Sequence, residues 1–417
     1  MDKHLLFRTG NRHLERPTRA QDAVLPPGNL RHQSTRPTRP TRPHTPTTPS
    51  TRLRSVDVFR GLTVAGMVIV NNPGDWSSVY WPLLHAEWNG WTPTDLIFPF
   101  FLFIVGVSIA LSPASAGSTA GVLRRTAVIF GLGLFLAGFP LFNLARWRIP
   151  GVLARIALCY LAGVLVTRST TPRTGDARAH LARLAGVAAA LTIGYAVLML
   201  WVPVPGGHAG DLSPSGNLGA WLDRLLLKGH LWKAEWDPEG LLSTMPAVAT
   251  TVLGVMAGLS IGMASSMASW RRALIAGGLL CTAIGLIWHT GFPINKSLWT
   301  SSYVFFTGGL AAIALALCSA WCDGEIGRWR ARASEPFVAL GRNAIVLFVL
   351  SGLIGRILGV VKVDSVGSVT LQSWIYTHAF APLASPKNAS LLFALANLAL
   401  LYALLAWLHH RRWYWRA

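Results

Sequence analysis

The sequence predicts an all-α polytopic membrane protein, a bundle of about ten transmembrane helices. Three observations lead there. Apolar residues make up 52% of the chain and charged ones 13%, a balance foreign to soluble domains. Apolar runs long enough to cross roughly 30 Å of hydrocarbon recur about ten times along the chain. The alternating ten-residue segments of a membrane barrel are absent, and a helix satisfies its own backbone in lipid.

The runs centre on 56–72, 94–112, 122–140, 149–167, 183–203, 241–262, 272–290, 298–319, 336–357 and 391–409. Ahead of them lies different material. "RPTRPTRP" and "HTPTTPSTR" mix Pro, Thr and Arg with almost nothing to bury, so residues 1–51 are expected to be a disordered basic tail. The tail has no apolar h-region and does not read as a secretory signal. Residues 52–417 form the membrane domain.

Charge placement sets an expected orientation. If the first span leaves the cytoplasm and each later one reverses, most of the 37 Lys and Arg fall in cytoplasmic segments, with or without the tail. Arg124 and Arg125, "TRSTTPRTGDARAHLAR", Arg271 and Arg272, "GRWRAR" and "HHRRWYWR" all lie there. Both termini are then cytoplasmic, in a cell inner membrane. The net charge of +20 reflects topology, and no nucleic-acid module accompanies it. Residues 73–93, 204–240, "FPINKS" and 361–390 fall outside. None of the four cysteines does, so no disulfide framework is expected, and Cys318 with Cys322 lacks the nearby His of a zinc site. No metal is expected.

Ionisable groups within apolar helices line cavities or pair with each other. Asp57 and Arg60, three apart in "SVDVFRG", form either a local ion pair or an anion site in which Asp57 orients Arg60. Arg342 and Asn343 in "ALGRNAIV" lie about 9 Å into the ninth span from the same side, where a guanidinium suits phosphate. At the other end Asn71 and Asn72 finish the first span, His85 and Glu87 follow, Asp95 opens the second span, and Arg155 lies about 9 Å deep in the fourth. Asp95 either favours its helix N-terminus, with Thr94 as cap, or belongs to a site. Asp57 and Asn71 are fourteen residues, about 21 Å, apart, so the two polar clusters sit near opposite membrane faces.

His85 is the side chain suited to proton transfer near neutrality, and imidazole is also a nucleophile. Glu87 faces it only if the loop curls. Trp76, Trp81, Trp88 and Trp91 form an interfacial belt that could also stack on a sugar. Walker A, Rossmann, G-x-S-x-G and H-E-x-x-H patterns are absent, and the glycines of "GDLSPSGNLG" read as a flexible loop.

"RLRSVDVFRGLTVAGMVIVNNPG", "LLHAEWNGWTPTDLIFPFFLFIVGVSIALS", "GVLARIALCY", "WDPEGLLSTMPAVATTVLGVMAG", "PINKSLWTSSYV" and "LGRNAIVLFVLS" run in order from about residue 52. Together they resemble the heparan-alpha-glucosaminide N-acetyltransferase family, in its bacterial form, among the transmembrane acyltransferases. The resemblance implies transfer of acetyl from cytoplasmic acetyl-CoA to the amine of a glucosamine on the far side. It implies that His85 of "HAEWNG" is catalytic, with Asn72 and Asp95 beside it. It leaves open whether the histidine is acetylated or only removes a proton, and Glu87 stands where lysosomal members carry Ser. Asn71, Glu87, Trp88 and Arg155 are then the expected acceptor contacts, and Asp57, Arg60, Arg342 and Asn343 the donor contacts. The partners are an amino sugar or oligosaccharide and membrane lipid, with no nucleic acid, and the resemblance points to a homodimer. A sugar transporter or flippase, or an acyltransferase for another envelope glycan, are the alternatives.

Overall fold

The computed structural model describes residues 53–112, 117–364 and 366–411, without the side chains of 408–410. The tail expected to be disordered lies outside them. Among the described residues the chain is helical: α1 (Arg54–Asn71), α2 (Ile97–Leu111), α3 (Thr119–Gly138), α4 (Val152–Thr170), α5 (Ala177–Trp201), α6 (Leu218–Leu227), α7 (Thr244–Leu259), α8 (Met267–Trp288), α9 (Ser301–Cys322), α10 (Arg328–Arg342), α11 (Ala344–Val360), α12 (Leu371–Ile375) and α13 (Pro386–His410). Short polar side chains start several of them. Ser118, Asp176 and Asn217 accept first-turn amides of α3, α5 and α6, and Ser266 and Ser269 form a capping box on α8.

Each of the ten expected runs is helical. Among the described residues, eight helices, including the Pro93–Leu111 stretch around α2, have the length and apolarity to cross a membrane. Two runs differ from expectation. The 18-residue α1 carries Arg54, Asp57 and Arg60, too many charges for an apolar span, and all three are held by partners on other elements described below. The run at 336–357 is broken, because α10 and α11 meet at 74°. Asn343 sits at the break with φ −116° and ψ 27°, ending one helix and starting the next, and its amide donates back to the Ala339 carbonyl. Packing fixes the bend. α10 lies across α1 so closely that a Cβ on Gly341 would sit 1.8 Å from the Asp57 carbonyl oxygen, and one on Gly61 would sit 1.9 Å from that of Phe337.

The bundle centres on α2 and α7, whose apolar windows are each 61% buried, with α4 and α9 beside them. α3 and α8 are 22% buried and form the rim, so their apolar side chains are left for lipid. Small residues permit the central contact, as membrane helices gain by close packing rather than by escape from water. A Cβ on Gly106 would come within 1.9 Å of the Thr251 carbonyl, and one on Gly254 within 1.9 Å of the Phe103 carbonyl.

Gly254→Val should therefore destabilise the bundle by roughly 1–3 kcal/mol through overpacking. Gly277→Ala on α8, where nothing lies within 4 Å, should leave the thermal midpoint in detergent unchanged or slightly raised.

Candidate active site

The loop from α1 to α2 is built around one carboxylate. Asp95 sits in a 3-10 turn, Pro93–Leu96, ahead of α2 and is 1% exposed. Its Oδ2 accepts the backbone N–H of Thr92 (3.0 Å) and of Ala86 (3.0 Å) and the Thr92 hydroxyl (3.1 Å). The capping residue is Thr92, not the expected Thr94, whose hydroxyl donates instead to the Pro82 carbonyl at 3.0 Å. The other oxygen, Oδ1, lies 2.6 Å from Nδ1 of His85. Facing a carboxylate, Nδ1 carries the proton and Nε2 keeps its lone pair. Asp95 is thus both helix cap and histidine partner, the two roles that its sequence position left open. The His85 ring remains half exposed.

A third group completes the cluster. Lys296 Nζ lies 3.0 and 3.2 Å from the two ring nitrogens of His85 and 3.7 Å from Asp95 Oδ1. Burial holds its ammonium below the usual lysine range, partly offset by Asp95 and Glu239. Sequence reasoning missed this lysine, which is 211 positions from His85. Pairing of two loops brings it there. Gly90 N–H donates to the Ile294 carbonyl (2.8 Å) and Asn295 Nδ2 to Asn89 Oδ1 (3.1 Å). The turn continues through Trp299, a bulky residue at φ +52°, a conformation that survives only where surroundings impose it. Trp299 is buried edge-to-face against Phe98 (5.1 Å) and donates from its indole to Thr250.

Arg155 lies beneath that turn, 1% exposed, with its guanidinium 5.1 Å from the Trp299 ring. It donates to the carbonyls of Pro238 and Gly240, both at 3.0 Å, and to the Ser243 hydroxyl, while its Nε has no hydrogen-bond partner among the described residues. Trp88 donates to the Leu212 carbonyl (2.9 Å) and meets Trp236 edge-on at 5.0 Å. Nearby, Arg148 grips Asp237 at 2.6 and 2.8 Å and Glu239 at 2.5 Å. The remaining expected residues at this end do not join His85. The Asn72 amide donates to Val68 O and Ser351 Oγ across to α11. Asn71 and Glu87 are both exposed, and neither has a hydrogen bond to the cluster.

At the opposite end of α1 the structure gathers the expected donor residues. Asp57, 2% exposed, lies 3.3 Å from Arg60 Nη1 and 3.5 Å from Arg342 Nε. Arg60 also donates to Ser108 Oγ (2.6 Å) and the Gly341 carbonyl (3.3 Å). Arg342 keeps about a third of its side chain exposed, whereas the Asn343 amide is spent on the helix break. Arg54 is tied to Ser334, Ala331 and Glu335 of α10. Among the described residues no group of three or more His, Cys, Asp and Glu could hold a metal ion.

Residues 52–204 match the family profile described as "Heparan-alpha-glucosaminide N-acetyltransferase, catalytic". The human protein named heparan-alpha-glucosaminide N-acetyltransferase is 30% identical over 357 residues, covering 72% of this chain and 52% of the human one. The mouse protein of the same name is 30% identical over 356 residues, covering 72% and 53%. The chain belongs to this family. It spans about half the length of the curated relatives it matches. The profile takes in His85, Asp95 and Arg155, and Lys296 lies beyond it.

Replacing Arg148 by Met should destabilise the family fold by about 3 kcal/mol, because Asp237 and Glu239 would be left as buried charges without their partner. Thermal unfolding of the purified protein in detergent reads this directly.

Proposed function

We propose that the chain is a transmembrane N-acetyltransferase, taking acetyl from acetyl-CoA to the amine of a glucosamine-type sugar. One observation carries the reading: a half-exposed imidazole oriented by a buried carboxylate, with an ammonium 3.2 Å from its open nitrogen, in a chain of this family. Attack on a thioester needs a neutral amine. His85 Nε2 takes the amine proton as nitrogen bonds to the acetyl carbon, and the imidazolium then returns a proton to the departing thiolate. Asp95 holds Nδ1–H and steadies the charge that forms, so base and acid are one ring. Lys296 is the oxyanion donor, because the Asn72 amide, expected beside His85, is engaged with α11.

The donor's anionic end belongs at Arg60 and Arg342. Asp57 balances one of these two cations, and Arg342 is exposed enough to reach a phosphate. Fourteen residues of α1 separate Asp57 from Asn71, about 21 Å, a distance that a long flexible thioester arm can bridge. With the basic segments cytoplasmic, the nucleotide lies inside and His85 faces the other compartment of an inner membrane. Asn71, Glu87 and Trp88 border the acceptor side, and Arg155 supports it from below. Asn343 shapes the donor end through the helix break. The homodimer and the identity of the natural glycan belong to the same proposal.

Proteoliposomes with labelled acetyl-CoA inside and glucosamine outside should yield acetylated sugar. Sugar uptake without acetyl product would replace the enzyme with a transporter. In that assay His85→Ala should lose about 10²–10⁴ in turnover and Lys296→Met about 10²–10³, each still able to bind coenzyme A; turnover near the parent value would remove the residue from the chemistry. Arg342→Ala should raise the KM for acetyl-CoA and leave that for the sugar unchanged.

A further inference from the structure

Lys296 differs from the other lysines in where its amine is held. Among the described residues Lys228, Lys233, Lys362 and Lys387 are exposed, whereas the Lys296 side chain is 20% exposed. Its Nζ lies 3.0 Å from Nδ1 and 3.2 Å from Nε2 of His85, and that ring is half exposed. A primary amine of the protein itself therefore stands where an incoming amine must come to give up its proton to Nε2. The loop keeps it there. The Lys296 carbonyl accepts the Trp299 N–H at 3.1 Å, and Oδ1 of the buried Asn295 accepts the Leu298 N–H at 2.9 Å.

An alkylamine is a nucleophile only when neutral. Burial pulls the Lys296 ammonium below the usual lysine range, and Asp95 and Glu239 oppose that pull. The group is thus charged when the site is idle and gives up a proton more easily than a lysine in water. Position adds more: an amine fixed beside the base reacts at a far higher effective concentration than one arriving from solution.

We propose that Lys296 is a self-acetylation site, at which Nζ takes the acetyl group from the donor thioester with His85 as base whenever no acceptor lies between them. The ammonium first loses one proton to solvent, as any attacking amine must. Nζ then bonds to the acetyl carbon, the carbon–sulfur bond breaks, and the second proton passes from Nζ to Nε2 and on to the departing thiolate. The products are an acetamide on Lys296 and the free coenzyme thiol. Acetylation removes the charge, and with it the oxyanion donor, so a modified chain should turn over about 10²–10³ more slowly. An amide does not fall off as the thioester does, so the site is a covalent brake released only by a separate deacetylation. A bound acceptor covers the amine and protects it. This inference rests on the acetyltransfer reading for its donor and adds a fate for the acetyl group when the acceptor is missing.

The test incubates the full-length protein in detergent with isotopically labelled acetyl-CoA and no acceptor, followed by peptide mass spectrometry. Lys296 should gain one acetyl group at least about tenfold faster than Lys233 or Lys387, and the label should survive neutral hydroxylamine, which strips acetyl from imidazole. Turnover measured afterwards should fall in step with the label, and glucosamine present during the incubation should prevent both changes. His85→Ala should slow labelling of Lys296 by about 10² or more and leave that of Lys233 unchanged. Lys296→Arg keeps a cation and cannot form the acetamide, so whatever turnover it retains should no longer decline during incubation with the donor. An unmodified Lys296, labelling no faster than at the exposed lysines, labelling indifferent to His85→Ala, or a label lost to hydroxylamine would each overturn the inference. If acetylated sugar forms while Lys296 stays unmodified, the inference falls alone. If Lys296 is acetylated and no amino sugar is, the inference stands and the reading of the sugar as acceptor falls.

Discussion

A single buried carboxylate organises the functional end of this bundle. Asp95 is 1% exposed at the entrance to an apolar helix, where an ionised group without partners would cost several kcal/mol. Its partners are two backbone amides, a hydroxyl, an imidazole and an ammonium. Satisfying the carboxylate closes the loop after α1, starts α2 and fixes the tautomer of His85 in one arrangement. Tyr303 of α9 adds a hydrogen bond to the Asp95 carbonyl at 2.5 Å, so the anchor is tied to a second core helix. Loop, helix start and imidazole therefore share their stability.

The second layer of support is Arg155. A guanidinium this deep is tolerated because carbonyls of the 238–240 segment and the Trp299 ring surround it. Those contacts join α4 to the segment before α7 and to the turn that carries Lys296. A residue expected to touch the acceptor directly thus holds together the elements around His85 and Lys296. The same logic operates at the far end of α1, where Asp57 and Arg60 are at once an ion pair and part of a cluster with Arg342. Structural and functional readings of a buried charge need not exclude each other.

The helices were legible because apolar length is a local property, read from twenty residues at a time. The break at Asn343 was not, since 336–357 is long and apolar enough on either side of Arg342 and Asn343 to read as one span, and the bend follows from Gly341 pressing on the α1 backbone. His85 and Asp95 stood out as polar residues at the mouth of an apolar helix. Lys296 did not, because a lysine in a short loop is ordinary until Gly90 and Asn89 pair with Ile294 and Asn295. Asn72 shows the converse: adjacent in sequence to the histidine loop, it turns its amide toward Ser351.

The proposed reaction requires a donor that lies along the bundle, charged end near Arg60 and Arg342 and thioester near His85. A cryo-electron microscopy structure of the full chain with a non-hydrolysable acetyl-CoA analogue tests this directly. The acetyl-bearing end should lie within hydrogen-bond reach of His85 Nε2 and Lys296 Nζ, with the nucleotide at the other end of α1. A donor bound wholly at one end, with its acetyl group remote from His85, would contradict it.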